Sequence, residues 1–139
     1  MAVSMTAGDV WVVHTDNSVA AAANLADKSL VDVSGAAIAN AANACYGVVA
    51  KDTKSGDYLT IKIAPSIVEV IATGTVTKGS YVEALQATVY ANIEGTSTAT
   101  TSCGVTNLSS GYPLGKALSA SDANGSVLVA LLVNQAKPT

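Results

Sequence analysis

Two stretches of this chain resemble each other closely enough to restrict the fold to a doubled unit. Ser29, Leu30, Val31, Asp32, Val33 and Ile38 run parallel to Ser80, Tyr81, Val82, Glu83, Ala84 and Val89 at a constant offset of 51. Further on, Gly47, Val48, Val49 and Ala50, a turn at Ser55 and Gly56, and the run from Leu59 to Ile63 recur as Gly115, Lys116, Ala117 and Leu118, Asn124 and Gly125, and the run from Leu128 to Leu132. The second correspondence opens at an offset of 68, so 17 residues are added ahead of it in the second copy, and its turn and last run stand at 69. Residues 96–112, rich in Thr, Ser and Gly, account for them as an exposed loop. Self-similarity of this kind is a statement about architecture before it is one about chemistry.

The copies are built from short strands. Leu59, Ile61 and Ile63 alternate with Tyr58, Thr60 and Lys62, the period of two of a strand with one buried face. Turn chemistry separates the runs: Lys54, Ser55, Gly56 and Asp57 in one copy, Asn124 and Gly125 in the other, with Gly74, Lys78 and Gly79 between them. The expected fold is mainly β, a small β-barrel or β-sandwich made of two similar units at about 29–72 and 80–133, within a β domain spanning 29–139. Residues 1–28 have no counterpart in the second half and read as an extended N-terminal arm. That arm holds a β-like run, Val10, Trp11, Val12 and Val13, followed by His14 and an Ala-rich stretch at 20–26.

Composition narrows the function. A chain of 139 residues suffices for one domain. Half of it is hydrophobic, but only 4% is aromatic and Phe is absent, so the core is made of Ala, Val, Leu and Ile and gains from association with other chains. Charged residues make up 12%, the cations are lysines, and the net charge is −3, which disfavours nucleic acid as a partner. No apolar run has the length of a membrane span, and no secretory leader is visible at the start of the sequence. Cys45 and Cys103 have no metal-ligand or CxxC spacing and read as free thiols.

Catalytic constellations are not legible either. The one histidine, His14, lies away from any nucleophile elbow, the ten acids are scattered singly, and Lys78, Gly79 and Ser80 lack the upstream glycine of a phosphate loop. Asp9, Asp16 and Asp27 do not have calcium-loop spacing. The reading is therefore a protein that is not an enzyme and carries no cofactor or metal. Its one tryptophan sits in the arm, where a β-run can add to another protein's sheet edge, making Val10, Trp11, Val12, Val13 and His14 the expected contact residues.

Several phrases carry a family resemblance: the entry strands beginning at Ser29 and Ser80, Tyr46-Gly47-Val48-Val49-Ala50 before a hairpin, and Pro113-Leu114-Gly115-Lys116-Ala117-Leu118 followed by Asn124-Gly125 and a final β-run. Together, over roughly residues 29–133, they resemble the capsid decoration, or cement, proteins of tailed bacteriophages. The resemblance implies a β-rich virion protein, made in the host cytoplasm, that assembles as a homotrimer on the outer surface of the capsid. There it stabilises the shell by bridging subunits of the major capsid protein. The alternatives are another phage or surface component, such as a tail, fibre or surface-layer subunit, and a small ligand-binding β domain.

Overall fold

In a computed structural model, which describes residues 13–38 and 44–132, the chain is mainly β, and the described residues contain no helix. The described residues form nine strands, β1 (His14–Asp16), β2 (Leu30–Val31), β3 (Gly47–Val49), β4 (Ile61–Ile63), β5 (Ile67–Ile71), β6 (Tyr81–Ile93), β7 (Thr96–Asn107), β8 (Gly115–Ala117) and β9 (Ser126–Leu131). They form two antiparallel sheets, ordered β1-β4-β3-β2 and β5-β9-β8-β6-β7. Both sheets are open, so the barrel alternative is not the one adopted.

The strand register repeats between the two units, and it shifts the turn and last strand of the sequence alignment by one residue: Ile61 and Ile63 match Val129 and Leu131, not Ala130 and Leu132, and Gly56 matches Asn124, not Gly125. Leu30 faces Val48 and Val31 faces Gly47 across β2 and β3; Tyr81 faces Lys116 and Val82 faces Gly115 across β6 and β8. Likewise Gly47 and Val49 face Ile63 and Ile61, as Gly115 and Ala117 face Leu131 and Val129. The loops repeat too. Leu25 and Thr53 exchange backbone hydrogen bonds, both of 2.9 Å, and Val76 and Ser121 do the same at 2.8 and 3.0 Å. Left-handed backbone recurs at matched positions, Lys28 (φ 70°) with Gly79 (φ 88°) and Gly56 (φ 90°) with Asn124 (φ 73°). In each pair one copy uses glycine, for which that conformation is cheap, and the other a residue that tolerates it less well.

Three further expectations are corrected by this register. First, residues 13–28 are part of the first unit and not a free arm. β1 pairs with β4, matching Thr15 to Lys62 and Asp16 to Ile61, just as β5 pairs with β9, matching Ile67 to Ala130 and Val68 to Val129. Ala21, Leu25 and Ala26 are buried, because this Ala-rich segment is what covers the inner face of the first sheet. The arm thus has a counterpart, in β5 and the 72–77 stretch. Second, residues 96–107 form strand β7, and only the stretch after Asn107 is a loop. Its threonines are β-branched and suit a half-buried pleated strand better than a coil. Third, the added residues are not 96–112 as a block but the outer part of the β6–β7 hairpin, which takes in most of β6 as well as β7. The bridge between Val31 and Ala37 spans a tight turn, at which Asp32 Oδ1 accepts hydrogen bonds from the Ser34 and Ala36 amides. In the second unit the matching pair is Val82 and Asn107, and the turn has grown into the long β6–β7 hairpin. Ile38, whose amide donates to Leu30 O, is accordingly matched by Leu108, whose amide donates to Tyr81 O, and not by Val89.

That hairpin wraps the first unit. Its register is unbroken from Val82 and Asn107 to Ile93 and Thr96, and it closes through Glu94 (φ 52°) and Gly95 (φ 82°), both in the backbone conformation of a type I′ turn. At its base Val82, Ala84, Cys103 and Val105 are buried; nearer the tip the buried residues are Ala91 and Thr100, on the opposite face. A two-stranded ribbon twists strongly, and here the twist brings the other face inward without any register change. The tip is then fixed to the first unit: the Asn92 amide donates to Asp52 Oδ2 at 2.8 Å, and Lys54 pairs with Glu94 at 3.0 Å.

The two units bury their sheets differently. Ala21, Leu25, Val31, Val49, Leu59 and Ile61 form the small core of the first unit. Their counterparts Ala72, Val76, Val82, Ala117, Val127 and Val129 lie in a larger core, which also takes in Leu30, Ile38, Cys45 and Val48 from the first unit. Both faces of the first sheet are therefore covered, and every residue of β2 and β3 is buried. The second sheet alternates: Tyr81 and Lys116, the counterparts of Leu30 and Val48, are exposed.

Candidate interaction surface

Of the expected contact residues, Val10, Trp11 and Val12 lie outside the described residues. Val13 and His14 are exposed at β1, the edge strand of the first sheet. The main-chain amide of His14 donates to Ser66 Oγ at 2.9 Å, and Ser66 Oγ in turn donates to Ile63 O at 2.6 Å. This ties the start of β1 to the connection between the units, where the Ala64–Pro65 peptide is cis. His14 is exposed, and among the described residues no strand pairs with the edge of β1 away from β4. Behind it, Asp16 accepts hydrogen bonds from Ser18 N at 2.8 Å, from Ser18 Oγ at 2.6 Å and from the Tyr46 hydroxyl. These bonds, that of the Ser18 hydroxyl foremost, hold the Asp16 carboxyl below its ordinary value, and the carboxylate raises the Tyr46 phenol.

The outer face of the second sheet is the other exposed surface. Ile67, Ile71, Leu128 and Ala130 are half-buried there, and Tyr81, Leu85 and Leu118 are exposed. Two charges sit among them. Glu69, beside Leu128, pairs with Lys28 at 2.8 Å, which lowers its carboxyl; Lys116, beside Ala130, lies 5.9 Å from the centre of the Tyr81 ring. Towards β6 the face is capped: Glu83 is buried, and its carboxylate accepts the Gly111 amide at 2.6 Å. Composition and periodicity alone do not reveal this face. Its signal lies in comparing the copies by register, because Thr60, just before β4, and Lys62 on β4 are replaced by Leu128 and Ala130 on β9.

The interior offers little reactive chemistry. Among the described residues no three His, Cys, Asp or Glu side chains gather as a metal site would require, and no helix is long and apolar enough to cross a membrane. A groove of about 400 Å³ lies between the first unit and the hairpin, walled by Ala22, Asn24, Leu25, Ala37, Thr98 and Thr100 among others. It contains no titratable group, and Asn24 Oδ1 already accepts the Ser55 amide at 2.8 Å. Cys45 and Cys103 are buried, and their thiols donate to Gly47 O at 3.3 Å and Ile38 O at 2.5 Å. Burial pushes them up to about 12 and about 11 respectively, far from the range of a reactive thiolate.

Compared with protein-family models, with curated proteins and with solved structures, the chain matches none.

Proposed function

We propose that this chain is a non-enzymatic structural protein that binds the outer surface of a phage capsid and stabilises it by bridging major capsid protein subunits. The observation that carries the reading is the division of the molecule into a doubled β core and an exposed, weakly charged edge. Two units are locked together by a shared core and a wrapping hairpin, and the first sheet ends at β1, whose outer edge no described strand pairs with and where Val13 and His14 are exposed. Such an edge offers main-chain hydrogen bonds to a partner without requiring charge, which suits a chain with few charged residues. Many copies, each making a modest contact, hold a shell together through their number.

The test is co-sedimentation with purified expanded heads that lack a decoration protein, using the full chain and a version without residues 1–12. That truncation spares β1, whereas removing residues 1–20 would take away a strand of the first sheet. The full chain is expected to pellet with heads and raise their melting temperature. The truncated chain is expected to melt as the full chain does but to bind at least tenfold more weakly. No binding of the full chain refutes the function; equal binding of both refutes the role of the segment before β1.

A further inference from the structure

We infer that the outer face of the five-stranded sheet is a self-association surface, occupied by the same face of a second copy about a two-fold axis along β9. The first support is internal. The matching face of the first sheet, centred on Leu30 and Val48, is buried against the second unit, so this side of the repeat is already a protein-covered face once within the chain. In the second unit that side is open, yet β9 is more apolar there, with Leu128 and Ala130 where the first unit has Thr60 and Lys62. Ile67, Ile71 and Leu118 extend the apolar row on either side of β9.

The second support is charge complementarity, which also chooses the occupant. β9 lies between β5 and β8. Glu69 projects from β5 level with Leu128, and Lys116 from β8 level with Ala130, so the acid and the base flank β9 on opposite sides. A two-fold axis along β9 lays β8 of one copy over β5 of the other. Each Lys116 then approaches its partner's Glu69, about 7 Å away along the strand direction at ~3.4 Å per residue, within the reach of the two long side chains between sheets about 10 Å apart. Two such pairs and a shared apolar row make the face complementary to itself, the requirement of an isologous contact. The lysine over Tyr81 and the glutamate held by Lys28 are positioned for this before the copies meet.

Sedimentation equilibrium of the purified full chain from 1 to 100 µM tests the inference without any capsid present, so its failure is separate from failure of the proposed function. The expected result is a reversible dimer. Leu128→Lys is expected to give a monomer with an unchanged melting temperature, since the side chain is only half-buried. Lys116→Glu is expected to weaken dimerisation at least tenfold, and adding Glu69→Lys to it is expected to recover most of that loss. Ala130→Cys, on the axis strand, is expected to give a disulfide-linked dimer on mild oxidation, and Ser34→Cys in the exposed turn of the first unit is not. A monomer throughout, a trimer, a dimer indifferent to Leu128→Lys, or equal cross-linking at positions 130 and 34 overturns the inference. If Leu128→Lys does not fold, the cross-linking pair still decides.

Discussion

Gly47 and Gly115 occupy the same place in the two units, and replacing each with alanine is the most direct test of the repeat. A Cβ on Gly47 meets the carbonyl oxygen of Lys62 and, at 2.5 Å, Cγ2 of Ile61; a Cβ on Gly115 meets the oxygen of Ala130 at 2.6 Å and Cγ1 of Val129. These obstacles are themselves equivalent, a backbone oxygen and a β-branched side chain at matched positions of the neighbouring strand. All four approaches are closer than 3.0 Å, a separation real Cβ atoms essentially never show. A carbonyl fixed in a sheet ladder cannot step aside like the end of a flexible side chain, so the cost belongs at the upper end of overpacking, about 3 kcal/mol for each. At roughly 3 °C per kcal/mol for a chain of this length, each variant is expected to melt about 10 °C below the parent. Gly79→Ala provides the contrast: an added Cβ there meets nothing within 4 Å, and the cost is that of left-handed backbone, about 1 kcal/mol. Urea unfolding followed by circular dichroism gives all three values on one scale. Near-neutral Gly47→Ala or Gly115→Ala, or a difference between them above about 1.5 kcal/mol, would refute the claim that the two sheets share one packing solution.

Three further outcomes are expected. Asp16, Asp32 and Glu69 have carboxyls lowered in the fold, so the unfolded chain binds more protons than the folded one as acid is added. Their stabilisation is fully present above the ordinary values of 3.8 for aspartate and 4.5 for glutamate, and is lost as the pH falls through the lowered values. Melting temperature should therefore fall on acidification through that range, and Tyr46→Phe, which removes a donor to Asp16, should make the fall shallower; an unchanged acid limb counts against the Asp16 cluster. Neither cysteine should react with a thiol reagent at pH 8 in the native protein while both react in denaturant, and rapid native labelling of either contradicts the burial described. Glu94→Asn should stabilise the protein by about 0.5 kcal/mol, because Asn-Gly is favoured in a type I′ turn and the ion pair lost with Lys54 is solvent-exposed; a clear loss of stability would show that this pair matters more than the turn.

How much of this was legible in the sequence depends on how local the deciding interactions are. The repeat was readable because each copy keeps its small residue where the strands approach closely, Gly47 and Gly115, and its apolar inward position on the entry strand, Val31 with Val82. The last strand reads one residue out of step, Ile61 with Ala130 in place of Val129, because the run from Val127 to Val133 is apolar throughout and has no alternation to fix its phase. The place of β1 was not readable. His14, Thr15 and Asp16 share no residue type with Ser66, Ile67 and Val68, although the two trios hold matching positions beside β4 and β9, because main-chain ladders leave edge side chains free to differ. The Thr-rich run at 96–107 was hidden for another reason. Threonine and serine are common in both loops and strands, and what makes this run a strand is β6, paired with it along its whole length. Of the contact residues expected from sequence, Val13 and His14 are exposed, and the outer face of the second sheet emerges only once the copies are superimposed by register.

That superposition also explains why duplication produced two different faces. A single unit of this kind has an inner face, which its own chain covers, and an outer face, which it cannot cover. Joining two units solves the problem once: the outer face of the first is buried by the second, and Leu30 and Val48 are apolar accordingly. The second unit inherits the same problem with no third unit to solve it. Part of its outer face is closed by the segment after Asn107, through the Gly111 amide on Glu83, and part is made compatible with water by Tyr81 and Lys116. The row on β9 follows neither course, because Leu128 and Ala130 are more apolar than the first-unit residues they match. Hydration favours the opposite change at an open sheet face, so a row that moves against it is best accounted for by a surface that spends its working life covered. Leu128→Lys separates the two explanations: a residue that serves only the monomer gains solubility from lysine and loses nothing, whereas one at a contact loses the contact.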